Sequence, residues 1–345
     1  MGIPASRRRY LQFVGGAGVA SLAGCMRATD DGTGTERTAG PTGAPMFRYT
    51  PARTGGPPDA TGPTDSVTEQ WAVEIDENPA EWLVVDDDTV YVVSHDNAIY
   101  ALAASDGSEQ WSVAVDGRIA SSPAVVDGTV YVGRGGGNLC ALTANDGTEQ
   151  WRFDTGAYVT PSPAVGDGIV YVGGGDGLLY ALDATDGTEQ WSRELRYLGG
   201  PTPAVADETV YFKLSGEVWA VDAADGTDRW TFDLDRGVLR SGISELAVLD
   251  DTVYAGTGHG VYALAASDGT ERWFFETDVG SPLAVTTNAV YVGDMEGTVY
   301  ALDPRNGTEH WRFETGDRWV WSTVVVDETL YIGTSNGTVY ALTEQ

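Results

Sequence analysis

The sequence predicts an all-β protein: a seven-bladed β-propeller of four-stranded antiparallel blades, with the ring closed by an N-terminal strand that completes the C-terminal blade. Three observations carry that expectation. The first is a repeat, YALDATDGTEQW from Tyr180 to Trp191, with close copies ending at Trp111, Trp151, Trp230, Trp273 and Trp311. The second is its spacing. Trp71, Trp111, Trp151, Trp191, Trp230, Trp273 and Trp311 lie 40, 40, 40, 39, 43 and 38 residues apart, and a period of about 40 to 45 residues in an all-strand pattern is that of a propeller. The third is that the repeat is broken at both ends, as TEQW closing at Trp71 and YALTEQ starting at Tyr340.

Each repeat parses into four strands, for which Ser121 to Trp151 serves as the model. SPAVV is the first, TVYVG from Thr129 the second, LCAL from Leu139 the third and TEQWRF from Thr148 the fourth. Asp-Gly pairs separate first from second and third from fourth, as tight turns require, because glycine takes positive φ without steric cost. The strands are nearly unbroken apolar runs where a one-sided sheet would alternate, so both faces must be covered. Blades stacked around an axis give that cover and leave only short, protected edges.

The second strand occurs seven times, beginning near Val90, Val130, Val170, Val210, Val253, Val290 and Leu330. The fourth also occurs seven times, but its first copy, Thr68 to Ile75, precedes every other strand, while the stretch from Trp321 to Leu342 has no fourth strand after it. The N-terminal copy is therefore expected to complete the last blade and remove an edge that would invite aggregation. An eighth blade would have to come from Met46 to Pro58, which has too few strand-like residues.

The folded unit is expected over residues 68–345 as one domain, since a repeat array of this length can be a single unit. Ahead of it, residues 1–25 read as an export signal, with Arg7 and Arg8 before an uncharged run from Leu11 to Gly24. That run is short for a spanning helix, which needs about 20 apolar residues. The segment resembles a twin-arginine signal, and Leu22-Ala23-Gly24-Cys25 resembles a lipobox whose cysteine receives the lipid. Residues 26–45 are rich in Thr, Gly, Asp and Pro and read as a flexible tether. Residues 46–67 are expected to serve as a lead-in strap. The chain is thus expected to be exported by the twin-arginine route and held by lipid on the outer face of the cytoplasmic membrane, as a monomeric ring.

The formal net charge is −31, from 51 acidic and 20 basic residues, and Lys213 is the sole lysine. Such a balance resembles that of proteins from extremely halophilic archaea. In dilute buffer these charges repel over ~10 Å or more, and molar salt shortens that range to ~3 Å. A nucleic-acid partner is excluded on the same ground, because phosphate contacts need clustered Lys and Arg. Of two cysteines, Cys25 is the lipidation candidate and Cys140 takes a slot filled by Tyr in most copies, as a buried apolar filler.

Within each copy the pattern is A-x-D-x-x-x-G-x-x-x-W, filled by Ala181, Asp183, Gly187 and Trp191. It resembles the tryptophan-docking motif of pyrroloquinoline quinone (PQQ) type propellers, shared by quinoprotein alcohol dehydrogenases and the BamB-type lipoprotein of outer-membrane barrel assembly. The resemblance implies that the seven tryptophans, Trp71 to Trp311, pack between blades and that the glycine turns the chain from third to fourth strand. Ala103, Thr143 and Ala265 replace the Asp in three copies, which favours a packing role for the motif over a chemical one.

Function is expected where the repeats disagree. The connections between second and third strands carry His95, Asp96, Arg134, Asp176, His259, Asp294 and Glu296; those between blades carry Trp82, Arg118, Tyr158, Tyr197, Arg236, Arg240, Arg318, Trp319 and Trp321. Both sets emerge on one face of a ring, the candidate binding face. No nucleophile–base pair, phosphate loop or metal set stands out, and no catalytic residue is assigned. Gly133, Gly135, Gly136 and Gly137 are turn glycines, since no helix follows them. Two sequons, Asn306-Gly307-Thr308 and Asn336-Gly337-Thr338, are glycosylation acceptors or simply good hairpin turns.

Three functions fit. The first is a non-catalytic scaffold binding a protein or peptide at the cell surface. The second, implied by the resemblance, is a quinoprotein dehydrogenase of alcohols or sugars using PQQ and Ca²⁺, with Trp319 and Trp321 as a floor and Asp294 with Glu296 holding the cation. The adjacent cysteines common near the cofactor in such enzymes are lacking. The third is a propeller that holds a ligand without turnover.

Overall fold

The computed structural model describes residues 80–343 apart from 87–88, 95–96, 116–118, 120, 160, 196–199, 235–245, 317–318, 327–328 and 335–338. Among them every regular element is a strand. The first sheet holds β1 (Ala80–Asp86), β2 (Thr89–Ser94), β3 (Ala98–Ala103) and β4 (Glu109–Ala114). The second holds β5 (Ala124–Val126), β6 (Thr129–Arg134), β7 (Asn138–Thr143) and β8 (Glu149–Asp154). The third holds β9 (Ala164–Gly166), β10 (Ile169–Gly173), β11 (Leu178–Asp183) and β12 (Glu189–Glu194), and the fourth β13 (Ala204–Ala206), β14 (Thr209–Leu214), β15 (Glu217–Asp222) and β16 (Asp228–Asp233). The fifth holds β17 (Leu246–Leu249), β18 (Thr252–Thr257), β19 (Gly260–Ala265) and β20 (Glu271–Glu276), and the sixth β21 (Ala284–Val285), β22 (Val290–Gly293), β23 (Thr298–Leu302) and β24 (Glu309–Glu314). The last holds β25 (Val320–Val326), β26 (Thr329–Thr334) and β27 (Val339–Thr343). All are antiparallel meanders, and the first strands of consecutive sheets touch one another in order from β1 to β25.

The expected closed ring of seven four-stranded blades is corrected on this point. Among the described residues six sheets have four strands, the last has three, and no sheet is closed into a ring. The strand expected to close it, Thr68 to Ile75, lies outside the described residues, as do Trp71, the export segment with Arg7, Arg8 and Cys25, the tether and the strap. The half repeat at Trp71 shows a pattern compatible with a fourth strand. Closing the ring needs a pairing between opposite ends of the chain, and β27 is an edge of the described sheet.

The apolar runs are buried on both faces, as their lack of alternation requires: β6, β18 and β19 have no half-exposed residue. The core runs between sheets, with Val93 and Ile99 of the first packed against Val132 and Cys140 of the second. Cys140 is fully buried, and burial pushes its thiol pKa up, so it is the inert filler its slot predicts.

The fourth strands are mostly exposed, and β4, β8 and β16 each have a single buried residue. That residue is the tryptophan, and it docks on the next sheet. Trp111 Nε1 donates to Ala144 O (2.7 Å), Trp151 to Ala184 O (3.0 Å), Trp191 to Ala223 O (2.9 Å), Trp230 to Ala266 O (2.8 Å) and Trp273 to Pro304 O (2.9 Å). A second-strand tyrosine lies against each indole, with ring centroids 5.8 to 6.0 Å apart. The hydroxyls of Tyr131, Tyr171 and Tyr254 donate to the same carbonyls at 3.1, 3.1 and 3.2 Å. A β-bulge stands beside each of these tryptophans, as between Ala181 and Leu182 where Ala181 pairs with Trp191, and bulges re-aim side chains in this way.

The turn glycine completes the joint. Gly147, Gly187, Gly226, Gly269 and Gly307 have φ of 70° to 74°, and a Cβ on any of them would come within 2.5 to 2.8 Å of Cε3 of the docked tryptophan. Glycine is thus required twice, for the backbone and for the ring above it. Trp311 faces the three-stranded sheet, which offers no such turn among the described residues, and it is 38% exposed.

Gly187 and Gly168 share a φ of +74°, yet nothing lies within 4 Å of a Cβ at Gly168, whereas Trp151 meets one at Gly187. Gly168→Ala is expected to cost about 1 kcal/mol through φ alone, and Gly187→Ala about 3 kcal/mol or more through φ and overpacking. Denaturant unfolding of both variants checks this, and equal costs would refute the joint.

Lys213 supplies a second test. Its Nζ donates to Gly256 O at 3.3 Å, and burial lowers its pKa from the ordinary 10.5 to about 8. The unfolded chain then keeps the proton to higher pH, so this residue's contribution to stability rises between about pH 8 and 10.5. Raised thiol and phenol values act in the opposite sense, so the difference from Lys213→Met isolates the lysine. Relative to that variant, the wild type should gain about 1–2 kcal/mol from pH ~7.5 to ~9.5; a flat difference would show that Lys213 does not titrate there.

Candidate functional site

The two ends of each sheet are built differently. At one end the first-to-second and third-to-fourth turns are joined, as Ala144 N to Gly128 O and Ala184 N to Gly168 O, both 2.8 Å. At the other, the described connections between sheets thread between second-to-third turns. Val159 N donates to Arg134 O (3.1 Å), Gly175 N to Tyr158 O (2.8 Å), Met295 N to Asp278 O (2.9 Å) and Val320 N to Asp294 O (3.1 Å). The two variable loop sets therefore share one face, and backbone hydrogen bonds fix each against the other.

Three sequence candidates meet on this face between the fifth and sixth sheets. His259, Asp294 and Glu296 line a cleft of about 310 Å³ together with Glu276, Thr277, Asp278 and Tyr300. Glu276, Asp278 and Glu296 are exposed, so three carboxylates rim the cleft, where His259 is the one residue with a side chain able to become cationic. Met295 and Trp319, 39% and 47% exposed, stand on the two segments that Asp294 and Val320 tie together.

Asp294 differs from its acidic neighbours. It is 4% exposed; Oδ1 accepts from Glu296 N (2.9 Å) and Thr298 N (2.7 Å), and Oδ2 from Tyr300 Oη (3.2 Å). Its carboxylate shapes the turn that aims Glu296 outward. Burial first, then the charge of Asp294, raises the Tyr300 pKa. His259 N donates to Thr257 Oγ1 at 3.2 Å, and its Nε2 is buried without a partner.

The other candidates separate. Tyr158 is presented, 48% exposed. Asp176 is half-buried, taking Leu178 N on Oδ1 at 3.1 Å and the Tyr180 hydroxyl on Oδ2, again a turn-forming role. Arg134 is withdrawn: it is 5% exposed, with its guanidinium 3.7 Å from the Glu149 carboxylate, because the long side chain runs back between sheets. His95, Asp96, Arg118, Tyr197, Arg236, Arg240 and Arg318 lie outside the described residues. Trp82 and Trp321 belong to β1 and β25, where the pairing register shifts beside each. Glu276, Asp278 and Met295 were missed: acidic strand ends are common throughout this chain, and only the fold shows which of them face a cleft.

The residues do not fit PQQ with calcium. Asp294 has three of its acceptor positions occupied by the chain itself, and no group of three His, Cys, Asp or Glu converges for a metal among the described residues. Trp319 stands 47% exposed on a connection between sheets, whereas a planar quinone needs an enclosed floor.

No curated relative matches the chain. Among solved structures it is similar to BamB from Moraxella catarrhalis, at 21% identity and a TM-score of 0.66, covering 83% of this chain and 94% of that one. It is also similar to the computationally designed Ika8 protein (18%, 0.65, covering 84% and 98%) and to the WD40 β-propeller domain of Doa1 (14%, 0.59, covering 79% and 95%). At these identities the likeness is one of fold. The family model described as outer membrane protein assembly factor BamB matches residues 63–160, 145–275 and 259–345, which together span the repeat region, and the chain belongs to that family of PQQ-repeat propeller proteins.

Proposed function

We propose that this protein is a non-catalytic scaffold that captures a protein or peptide partner on its loop face, outside the cytoplasm and tethered by lipid at Cys25. The observation that carries this reading is the cleft between the fifth and sixth sheets, where Glu276, Asp278 and Glu296 stand beside exposed Met295 and Trp319. Carboxylates around a cleft with aromatic and thioether surface beside it suit an extended segment carrying Lys or Arg and an apolar anchor. Membership of the BamB family supports a scaffold role over an enzymatic one, and a family named for protein assembly makes a polypeptide the natural class of partner. Export through Arg7 and Arg8 accounts for the first 25 residues, and adaptation to molar salt, as in halophilic archaea, accounts for the charge of −31.

Cross-linking on native membranes tests the reading. The wild type should capture a discrete partner, and the triple variant Glu276→Gln, Asp278→Asn, Glu296→Gln should lose it at least tenfold, as should Trp319→Ser. Capture that survives both changes would place the partner elsewhere. In the same preparation Cys25→Ser should leave the membrane pellet.

Salt gives an independent check. If the acidic surface is an adaptation to molar salt, the unfolding free energy followed by circular dichroism rises steeply from dilute to molar salt, as screening shortens from ~10 Å to ~3 Å. Equal stability in the two would remove the halophilic reading.

A further inference from the structure

We propose that Asn306 is an N-glycosylation site, carried on the third-to-fourth strand turn of the sixth sheet. The inference starts from a comparison the repeat itself supplies. In five sister turns the residue before the glycine is aspartate, and its Oδ1 accepts the N–H two residues on: Asp106 from Ser108 (3.0 Å), Asp146 from Thr148 (2.9 Å), Asp186 from Thr188 (2.9 Å), Asp225 from Thr227 (2.9 Å) and Asp268 from Thr270 (3.0 Å). Asn306 makes the same bond to Thr308 N at 2.9 Å. The turn therefore has no need of asparagine. It gives up the charge-assisted bond that a carboxylate makes here.

What the change does create is the acceptor triplet Asn306-Gly307-Thr308. The hydroxyl that completes it is already a feature of the turn, since Ser or Thr holds that place in every sister copy. The geometry presents the acceptor. Asn306 and Thr308 are exposed, and Oδ1 takes both Thr308 N and Thr308 Oγ1, the latter at 2.7 Å. The amide Nδ2 thus points away from the turn's own hydrogen bonds. Gly307 beside it faces the other way, under Trp273, so a bulky group on Nδ2 leaves the joint untouched. The turn also lies at the opposite end of the sheet from the loop face, where a glycan would not obstruct a partner.

The chemistry is group transfer from an oligosaccharide linked through its anomeric carbon to a lipid phosphate or pyrophosphate. A bond forms from Asn306 Nδ2 to that carbon, the carbon–oxygen bond to the phosphate breaks, the carrier leaves as its phosphate, and one Nδ2 proton passes to a base of the transferase. The proposal rests on the export reading, because such transferases work outside the cytoplasm.

Mass spectrometry of the chain isolated from its own cell surface tests it. The peptide holding Asn306 should carry a glycan mass, lost in Asn306→Asp and Thr308→Ala and kept in Thr308→Ser. Asn306→Asp installs the residue of the five sister turns, so its folding should be unchanged and misfolding cannot explain the loss. An unmodified Asn306, or one converted to aspartate by loss of ammonia, overturns the proposal. Protease treatment of intact cells reports separately on export: an unmodified chain found outside sinks the glycan alone, and one found inside sinks both readings.

Discussion

The contact on which the structure depends is a backbone carbonyl gripped from the neighbouring sheet. In the third-to-fourth turn, the carbonyl of Ala184 takes Trp151 Nε1 at 3.0 Å and the Tyr131 hydroxyl at 3.1 Å, while the Trp151 ring covers Gly187. An indole of this kind is worth about 3–5 kcal/mol when truncated in a core, and a hydrogen bond about 0.5–1.5 kcal/mol. Five such joints in series fix the spacing and rotation of consecutive sheets, so sheets with fully buried strands need no other connection than short loops.

That joint explains the division between the two ends of each sheet. At the turn end every element of the joint must recur, and in the five joints from Trp111 to Trp273 the indole, the carbonyl and the glycine do. At the loop end nothing in the joint is at stake, so the chain is free to vary there, and the fifth and sixth sheets have used that freedom to build an acidic cleft. Asp294 and Asp176 mark the limit of the freedom. Each spends its carboxylate on the N–H groups of its own turn and on a third-strand tyrosine, which leaves binding chemistry to residues further out, Glu276, Asp278 and Glu296.

How much of this was legible in the sequence depends on whether a feature is written in side chains close together in the chain. The four-strand parse could be read from spacing and turn residues, and the docking role of Trp111 to Trp273 from the resemblance that the repeat motif carries. The acceptors could not, because Ala144, Ala184, Ala223, Ala266 and Pro304 contribute only a carbonyl. Proline serves as well as alanine, and neither letter signals an acceptor. Arg134 was misread because a loop position says nothing about where a long side chain runs. Closure of the ring was overread, since it requires pairing between residues at opposite ends of the sequence, and a matching half repeat is a weaker constraint than a register.

The joint also sets which turn positions can change. It demands the glycine, for φ and for the space under the indole, and it demands the preceding carbonyl. The residue before the glycine does neither: Asp186, Asp225 and Asp268 point their side chains along the turn to their own Thr188, Thr227 and Thr270, away from the docked ring. A side chain there is exposed, uncommitted to the neighbouring sheet and held in one orientation by a local hydrogen bond. Asn306 inherits all three properties from the turn, so the position where the repeat tolerates substitution is also where it holds an amide out to solvent. In this architecture the sites open to chemical addition follow from what the packing joint leaves unused.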